Sequence, residues 1–464
     1  MSPGDPATIS AATTRAPGRR WRALLPALVL VAVVHGALLW VAYVPGPRRL
    51  VGDEVTYLRA VRQLLETGTT GSDQLWPPLY AHWLAGLLSL SESHVPLLLA
   101  QGLLLGVAAL VARDICRRLS CPAPVGDVTA LLLLVYPPLA AFAHYLWPEV
   151  LHLTLLLIAL WIVAAHRQRL AWALLLGGVV GLALLTKNIL GPFVPALLAP
   201  IVLADRWRRG LARAGAAVAV MALVLAPTAL SNWQREGRPV ISSSGWFNAW
   251  VGLTDVGNKT YTGYPVAQRL RTYRQSSPRL VERERIVRGK IVTLLKERGV
   301  VGVLCDQLGH QYFRLFDKDS FLTDQLPGGA ATAIGFGYRG PPSVASRALR
   351  VSSYGLYAGV LVGAAFGLSL CPVRRSRWTW LALGFIAYNL AIFLVLHVKT
   401  RYQVQFLPMV FVFAGYSVSW VLRRLGLVVV DQGELAAPGR LSVVLSSLLA
   451  VLLLFLAFGG ALVS

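Results

Sequence analysis

The chain has 464 residues, 56% hydrophobic and 14% charged, with a formal net charge of +23 and a mean hydropathy of +0.60. A soluble globular protein carries about 25% charged residues, so this composition excludes a soluble enzyme or a disordered chain and requires a polytopic membrane protein. The positive charge does not mark a nucleic-acid binder: 38 of the 44 basic residues are Arg, and they lie mostly between apolar runs, where they set topology.

Residues 1–22 are small, polar and basic and read as a disordered cytoplasmic tail. Ala23 to Tyr43 is apolar and long enough to span, and Arg15, Arg19, Arg20 and Arg22 before it hold the N-terminus inside. Without a small-residue cleavage site after it, the run reads as a retained anchor. Further apolar runs at about 93–112, 127–143, 149–165, 171–187, 189–204, 212–230, 351–371, 379–397, 403–422 and 441–463 make eleven predicted spans. With the N-terminus inside, the cytoplasmic turns carry the Arg clusters at 113–118, 167–169, 206–213, 374–377 and 423–440, and the outer ends are poor in positive charge. The chain divides into an N-terminal transmembrane module (23–230) with a long first outer loop (44–92), an outer segment (231–350) and C-terminal spans (351–464). The four cysteines do not suggest a disulfide framework, since only Cys305 faces outside in this topology.

Gly52-Asp53-Glu54 opens the first outer loop, followed by a helical stripe of Leu58, Val61, Leu64 and Leu65. This is a short interfacial helix. Asp53 and Glu54 at its start either serve the helix as cap and dipole partners or hold a carboxylate at the membrane surface; the two roles are compatible. Trp76-Pro77-Pro78-Leu79-Tyr80 begins a second interfacial or re-entrant helix, with an ordinary tilted span as the alternative. In the outer segment, residues 278–298 are amphipathic helix, and Gly237 to Pro265 reads as loop or short strand. Asn258-Lys259-Thr260 is a glycosylation sequon.

The remaining candidates sit at the outer ends of spans. Glu149 follows Trp147-Pro148, either as a helix-start residue or as a functional carboxylate. Lys187 either contacts an anion or snorkels. In His397-Val398-Lys399-Thr400-Arg401-Tyr402, two cations break the outer-side charge rule. An anion at the outer surface explains them, a lipid-linked phosphate being suited to Arg; headgroup anchoring is the alternative.

Taken in order, these segments resemble the GT-C superfamily of integral-membrane glycosyltransferases, most of all protein O-mannosyltransferases and bacterial aminoarabinose transferases. The resemblance is carried by Gly52-Asp53-Glu54-x-x-Tyr57, Trp76-Pro77-Pro78-Leu79-Tyr80, Trp147-Pro148-Glu149, Thr186-Lys187, the stretch Gly245 to Gly252, and Arg401-Tyr402 with Leu407-Pro408. It implies an all-α polytopic fold of about eleven transmembrane helices, with interfacial helices in the first outer loop and a small mixed extracytoplasmic segment. The implied reaction moves a monosaccharide, with inversion, from a polyprenyl-phosphate donor to a hydroxyl of a glycan, lipid or protein acceptor. Asp53 would be general base, with Glu54 a second catalytic candidate. Lys399, Arg401 and Lys187 would bind the donor phosphate, and Glu149, Tyr57, Tyr402 and His397 the substrate. Besides membrane lipids no further partner is implied. A divalent cation is the one cofactor the pattern leaves open. A lipid-linked oligosaccharide ligase with a pyrophosphate donor and a transporter or flippase are the competing readings; the span centres, mostly Ala, Leu, Val and Gly, fit transport least.

Overall fold

The computed structural model describes residues 17–460 apart from residues 44–48, 51, 70–74, 92, 94, 167, 205, 255–262, 342, 373–376, 429–434 and 436–437. The sequon and most of the predicted N-terminal tail lie outside the described residues; the first helix begins at Pro17. The first half holds α1 (Pro17–Tyr43), α2 (Asp53–Thr67), α3 (Leu79–Leu88), α4 (Val95–Arg118), α5 (Ala123–Val135), α6 (Pro137–Ala140), α7 (Glu149–His166), α8 (Leu170–Thr186), α9 (Val194–Val202) and α10 (Trp207–Glu236). A central segment follows, with α11 (Ser244–Thr254), α12 (Gly263–Gln275), α13 (Leu280–Arg298), α14 (Val300–Phe316), α15 (Phe321–Gln325) and α16 (Ala330–Ala333). The chain closes with α17 (Val344–Leu370), α18 (Arg377–Ile392), α19 (Leu407–Arg424) and α20 (Arg440–Phe458).

Every predicted apolar run carries helix, but proline divides several of them. Among the described residues, α1, α4, α10, α17 and α20 are each long and apolar enough to cross a membrane. The predicted span 127–143 bends by 57° between α5 and Pro137–His144, because Pro137 and Pro138 remove backbone donors and disfavour helix in the residue before them. The run from 189 starts as a 3-10 helix, Asn188–Phe193, with Pro192 inside it, and the run from 403 starts within the 3-10 helix Thr400–Gln405. These breaks place polar backbone at helix ends within the protein, where neighbouring elements surround it. The apolar helix α7 is buried along most of its length, against α4 and α8, as expected of a helix apolar on every side.

Small residues permit the closest helix crossings. A Cβ at Gly367 of α17 would overlap the Phe413 carbonyl of α19, so this pair packs backbone to backbone, the usual solution where lipid offers no hydrophobic drive between helices.

The central segment departs from expectation. The amphipathic stretch at 278–298 is α13, but the stretch read as loop or strand contains α11, and the only β feature among the described residues of this segment is the bridge of Gly337 to Arg49. The described residues of the segment are therefore helical and not mixed. Tertiary burial decides this: Phe247, Trp250, Val251 and Leu253 of α11 pack with Tyr273, Val287 and Ile291 into a separate apolar cluster. Local Gly, Ser and Asn content is a weak counterweight to that burial.

Gly252 locks α11 onto the loop leading to His397. A Cβ there would lie 2.5 Å from both the Leu396 carbonyl carbon and the His397 nitrogen. The Asn248 carbonyl accepts from the His397 amide at 2.9 Å. The Gly252 carbonyl accepts from the side-chain amides of Gln307 and Gln311, at 2.9 and 3.1 Å. Gly252→Ala should therefore cost about 1–3 kcal/mol, the range for overpacking, read as a lower thermal midpoint of the detergent-solubilised protein.

Candidate active site

Elements far apart in sequence meet at one end of the bundle. The hairpin of α7 and α8 brings the start of one helix and the end of the other to the same side. There the first turn of α2, α11 and residues 392–405 complete a cavity of about 410 Å³.

Asp53 is the first helical residue of α2. The residue before it, Gly52, adopts φ 60° and no side chain caps the helix, so Asp53 is not the cap that its position suggested. Its carboxylate instead accepts from Arg401 Nη2 at 2.7 Å. Tyr57, one turn further on the same face, lines the same cavity.

Arg401 is held as a flat plate. Its guanidinium carbon stands 3.8 Å from the centre of the Trp147 ring and 5.4 Å from that of Tyr402. Its side chain is 6% exposed. Nε lies 3.8 Å from Glu149 Oε1, and neither Nε nor Nη1 has a hydrogen-bond partner. Glu149, at the start of α7, is buried and accepts from Lys187 Nζ at 2.8 Å, leaving its Oε2 unpartnered. Two carboxylates and two cations thus alternate around the cavity, with hydrogen-bonding capacity remaining on Arg401 and Glu149.

Burial pushes the Asp53 carboxyl up, but the Arg401 and Lys399 charges outweigh it and hold the group below the usual carboxylate range. For Lys399, burial and then the neighbouring Arg401 charge lower the ammonium below its usual value. Asp53 is therefore ionised at neutral pH, with concentrated positive charge beside it.

His397 and Tyr402 also line the cavity. Tyr402 is fixed by a stacked ring contact with Phe393. Two candidates lie elsewhere. Lys399 is outside the lining and acts on Asp53 through its charge. Glu54 is fully buried, outside the lining, and accepts from the Leu146 amide at 3.0 Å. On a helix, successive residues point about 100° apart, so the acidic pair divides: Asp53 faces the cavity and Glu54 fastens α2 to the segment before α7. Glu54→Ala is expected to cost about 1.5–3 kcal/mol of stability, the worth of a hydrogen bond to a charged group. A donor KM unchanged in that variant would confirm its structural place, and a large KM change would refute it.

Sequence reading passed over His152 and Gln405 and gave Asn248, part of the Gly245 to Gly252 stretch, no site role; all three line the cavity. His152 carried a usable signal, standing three residues after Glu149 on the same helical face. Gln405 carried none, since its side-chain partner, Asn389 at 2.6 Å, belongs to α18. The residues do not present a metal site: both cavity carboxylates are engaged by cations, and among the described residues no group of three or more His, Cys, Asp or Glu could hold an ion.

The polytopic helical bundle and its charged end cavity accompany a sequence similar to the membrane glycosyltransferases of the GT-C superfamily. In particular, residues 76–233 match the family described as dolichyl-phosphate-mannose-protein mannosyltransferase. The resemblance carried by the sequence motifs is borne out over that segment, which includes Trp147, Glu149 and Lys187 of the cavity. No curated protein matches the chain. Among solved structures, that of ArnT from Cupriavidus metallidurans bound to undecaprenyl phosphate aligns over 89% of this chain and 79% of its own, at 17% identity and a TM-score of 0.40.

Proposed function

We propose that this protein transfers a monosaccharide from a polyprenyl-phosphate donor to an acceptor hydroxyl, at the extracytoplasmic face of the plasma membrane. The observation that carries the reading is the Asp53–Arg401 contact: a carboxylate kept ionised by a guanidinium that retains unpartnered N–H groups at the same cavity. The sidedness rests on the charge asymmetry of the sequence, which puts the N-terminus in the cytoplasm.

The acceptor hydroxyl sits beside Asp53 and attacks the anomeric carbon of the donor sugar. The new glycosidic bond forms as the bond from that carbon to the phosphate oxygen breaks, so the configuration inverts and polyprenyl phosphate leaves. Asp53 has too low a proton affinity to ionise the hydroxyl beforehand; it takes the proton late, as the hydroxyl oxygen gains positive character. The free donors of Arg401, with Lys187 and Lys399 nearby, compensate the charge growing on the leaving phosphate. The Arg401 plate on Trp147 supplies this without rearrangement, because the indole and both carboxylates fix it in advance.

The test is label transfer in membranes holding wild-type or Asp53→Ala protein, supplied with polyprenyl-phosphate sugars, mannose first. Label should reach an acceptor only with the wild type. Release of polyprenyl pyrophosphate from a diphosphate donor would replace this reading with an oligosaccharide ligase. Sugar flux through liposomes without a glycosyl product would replace it with transport.

A further inference from the structure

A second cavity, of about 790 Å³, adjoins the first. Tyr57, Trp76 and Pro77 line both, so these three residues form the wall between them. The helix α2 serves both sides: Asp53 faces the first cavity, and Thr56, Arg59 and Gln63 face the second. The C-terminal end of α10 and the approach to α13 enclose it from other directions.

The two cavities differ in character. The second is lined by Arg59, Arg235, Arg274 and Arg283, with Glu236 the one acidic residue among the described residues of its lining. Glu236 is already engaged, accepting from the Leu280 amide at 3.2 Å. Arg283 is 5% exposed, its Nε has no hydrogen-bond partner, and its guanidinium lies 5.4 Å from the centre of the Tyr273 ring. A buried guanidinium N–H without an acceptor is costly, and an anion is the group that would satisfy it. Thr56, Gln63 and Ser231 line the same cavity, groups that pair with hydroxyls. The volume lies within the range of small-molecule sites.

We propose that this cavity holds the acceptor, and that the acceptor is an anionic glycan: a sugar chain bearing a phosphate or carboxylate that the arginines hold while one hydroxyl reaches past Tyr57 to Asp53. Arg59 is six residues beyond Asp53 on α2, about 9 Å along the axis at the helical rise. The anionic group should therefore stand about one or two sugar units from the reacting hydroxyl. The assignment of the hydroxyl to Asp53 rests on the transfer reading; the anion preference of the cavity does not.

The experiment is equilibrium binding to the full-length protein in zwitterionic nanodiscs. The probes are a mannose trisaccharide with one phosphate monoester and the same trisaccharide without it. The phosphorylated glycan should bind about tenfold more tightly, the scale of one charge-assisted hydrogen bond, with the advantage shrinking as salt rises. Asp53→Asn should keep the preference. Arg59→Gln with Arg235→Gln should abolish it and leave polyprenyl-phosphate affinity unchanged. Equal binding of the two glycans by wild type at low salt overturns the proposal, whatever the variants do. Displacement of the phosphorylated glycan by phosphatidylglycerol vesicles but not by inorganic phosphate overturns it in favour of a lipid-headgroup site. A standing anion preference with no transfer from any donor would remove the transfer reading and keep the site. Transfer with no anion preference would do the reverse.

Discussion

Replacing Asp53 by Asn is expected to lower transfer by about 10²–10⁴-fold, the range for loss of a positioned general base. The substitution keeps the shape of the side chain and an oxygen that can accept from Arg401 Nη2, so the fold and membrane insertion should survive. What it removes is the negative charge and the late proton acceptor. The pH profile of the wild type carries the same information. The Asp53 carboxyl is held below its usual range by Arg401 and Lys399 against the opposing effect of burial. Its ionised form is the active one, so activity should be retained as pH falls to the ordinary carboxylate value of about 3.9 and be lost only below it, as far as stability allows measurement. A depressed folded-state value also means that Asp53 contributes stability above the unfolded-state value, and that this contribution is lost as pH falls through the folded-state value. Single-turnover transfer by the Asn variant at near wild-type rate would sink the assignment of Asp53 as the base.

Replacing Arg401 is expected to have the larger combined effect, on stability and on activity together. The residue pairs with Asp53, lies near Glu149 and covers the face of Trp147. Arg401→Met leaves Asp53 without its closest counterion and Glu149 with Lys187 alone. Breaking a buried pair by removing one partner costs about 3–5 kcal/mol, so a lower thermal midpoint is expected alongside loss of donor affinity. Arg401→Lys is the sharper probe. Lysine restores the charge but not the planar fork, which here holds Asp53 through one nitrogen and leaves the others for a phosphate. Stability should recover in part and donor affinity should not. The two effects are separated by measuring thermal unfolding and polyprenyl-phosphate binding on the same preparation. Full recovery of donor binding by Lys would show that Arg401 acts as a point charge only.

Much of the architecture was written locally. Membrane character follows from composition, because 14% charged residues cannot cover a soluble particle of this size. The interfacial helix at residue 53 and the helix at 280 follow from apolar periodicity, and each apolar run carries helix because lipid leaves its backbone no other partner. The four segments that supply Asp53, Glu149, Lys187 and Arg401 to the cavity were also visible, as acidic or basic residues out of place at the ends of apolar runs.

What the sequence could not decide is how those segments meet. Asp53 and Arg401 are 348 residues apart, and Glu149 and Lys187 are 38 apart; no spacing rule joins either pair. The resemblance ranked Asp53 above Glu54, but only helical geometry shows these adjacent residues turned toward the cavity and toward the Leu146 amide respectively. The helix α11 formed in a Gly- and Ser-rich stretch because its aromatic face found a distant partner surface. The sequence by itself determined which apolar stretches carry helix and which residues carry charge at their ends, since periodicity and hydration are local properties. Only the tertiary structure decided which charges face one another, because a cavity built from helix ends depends on the packing of elements far apart in the chain.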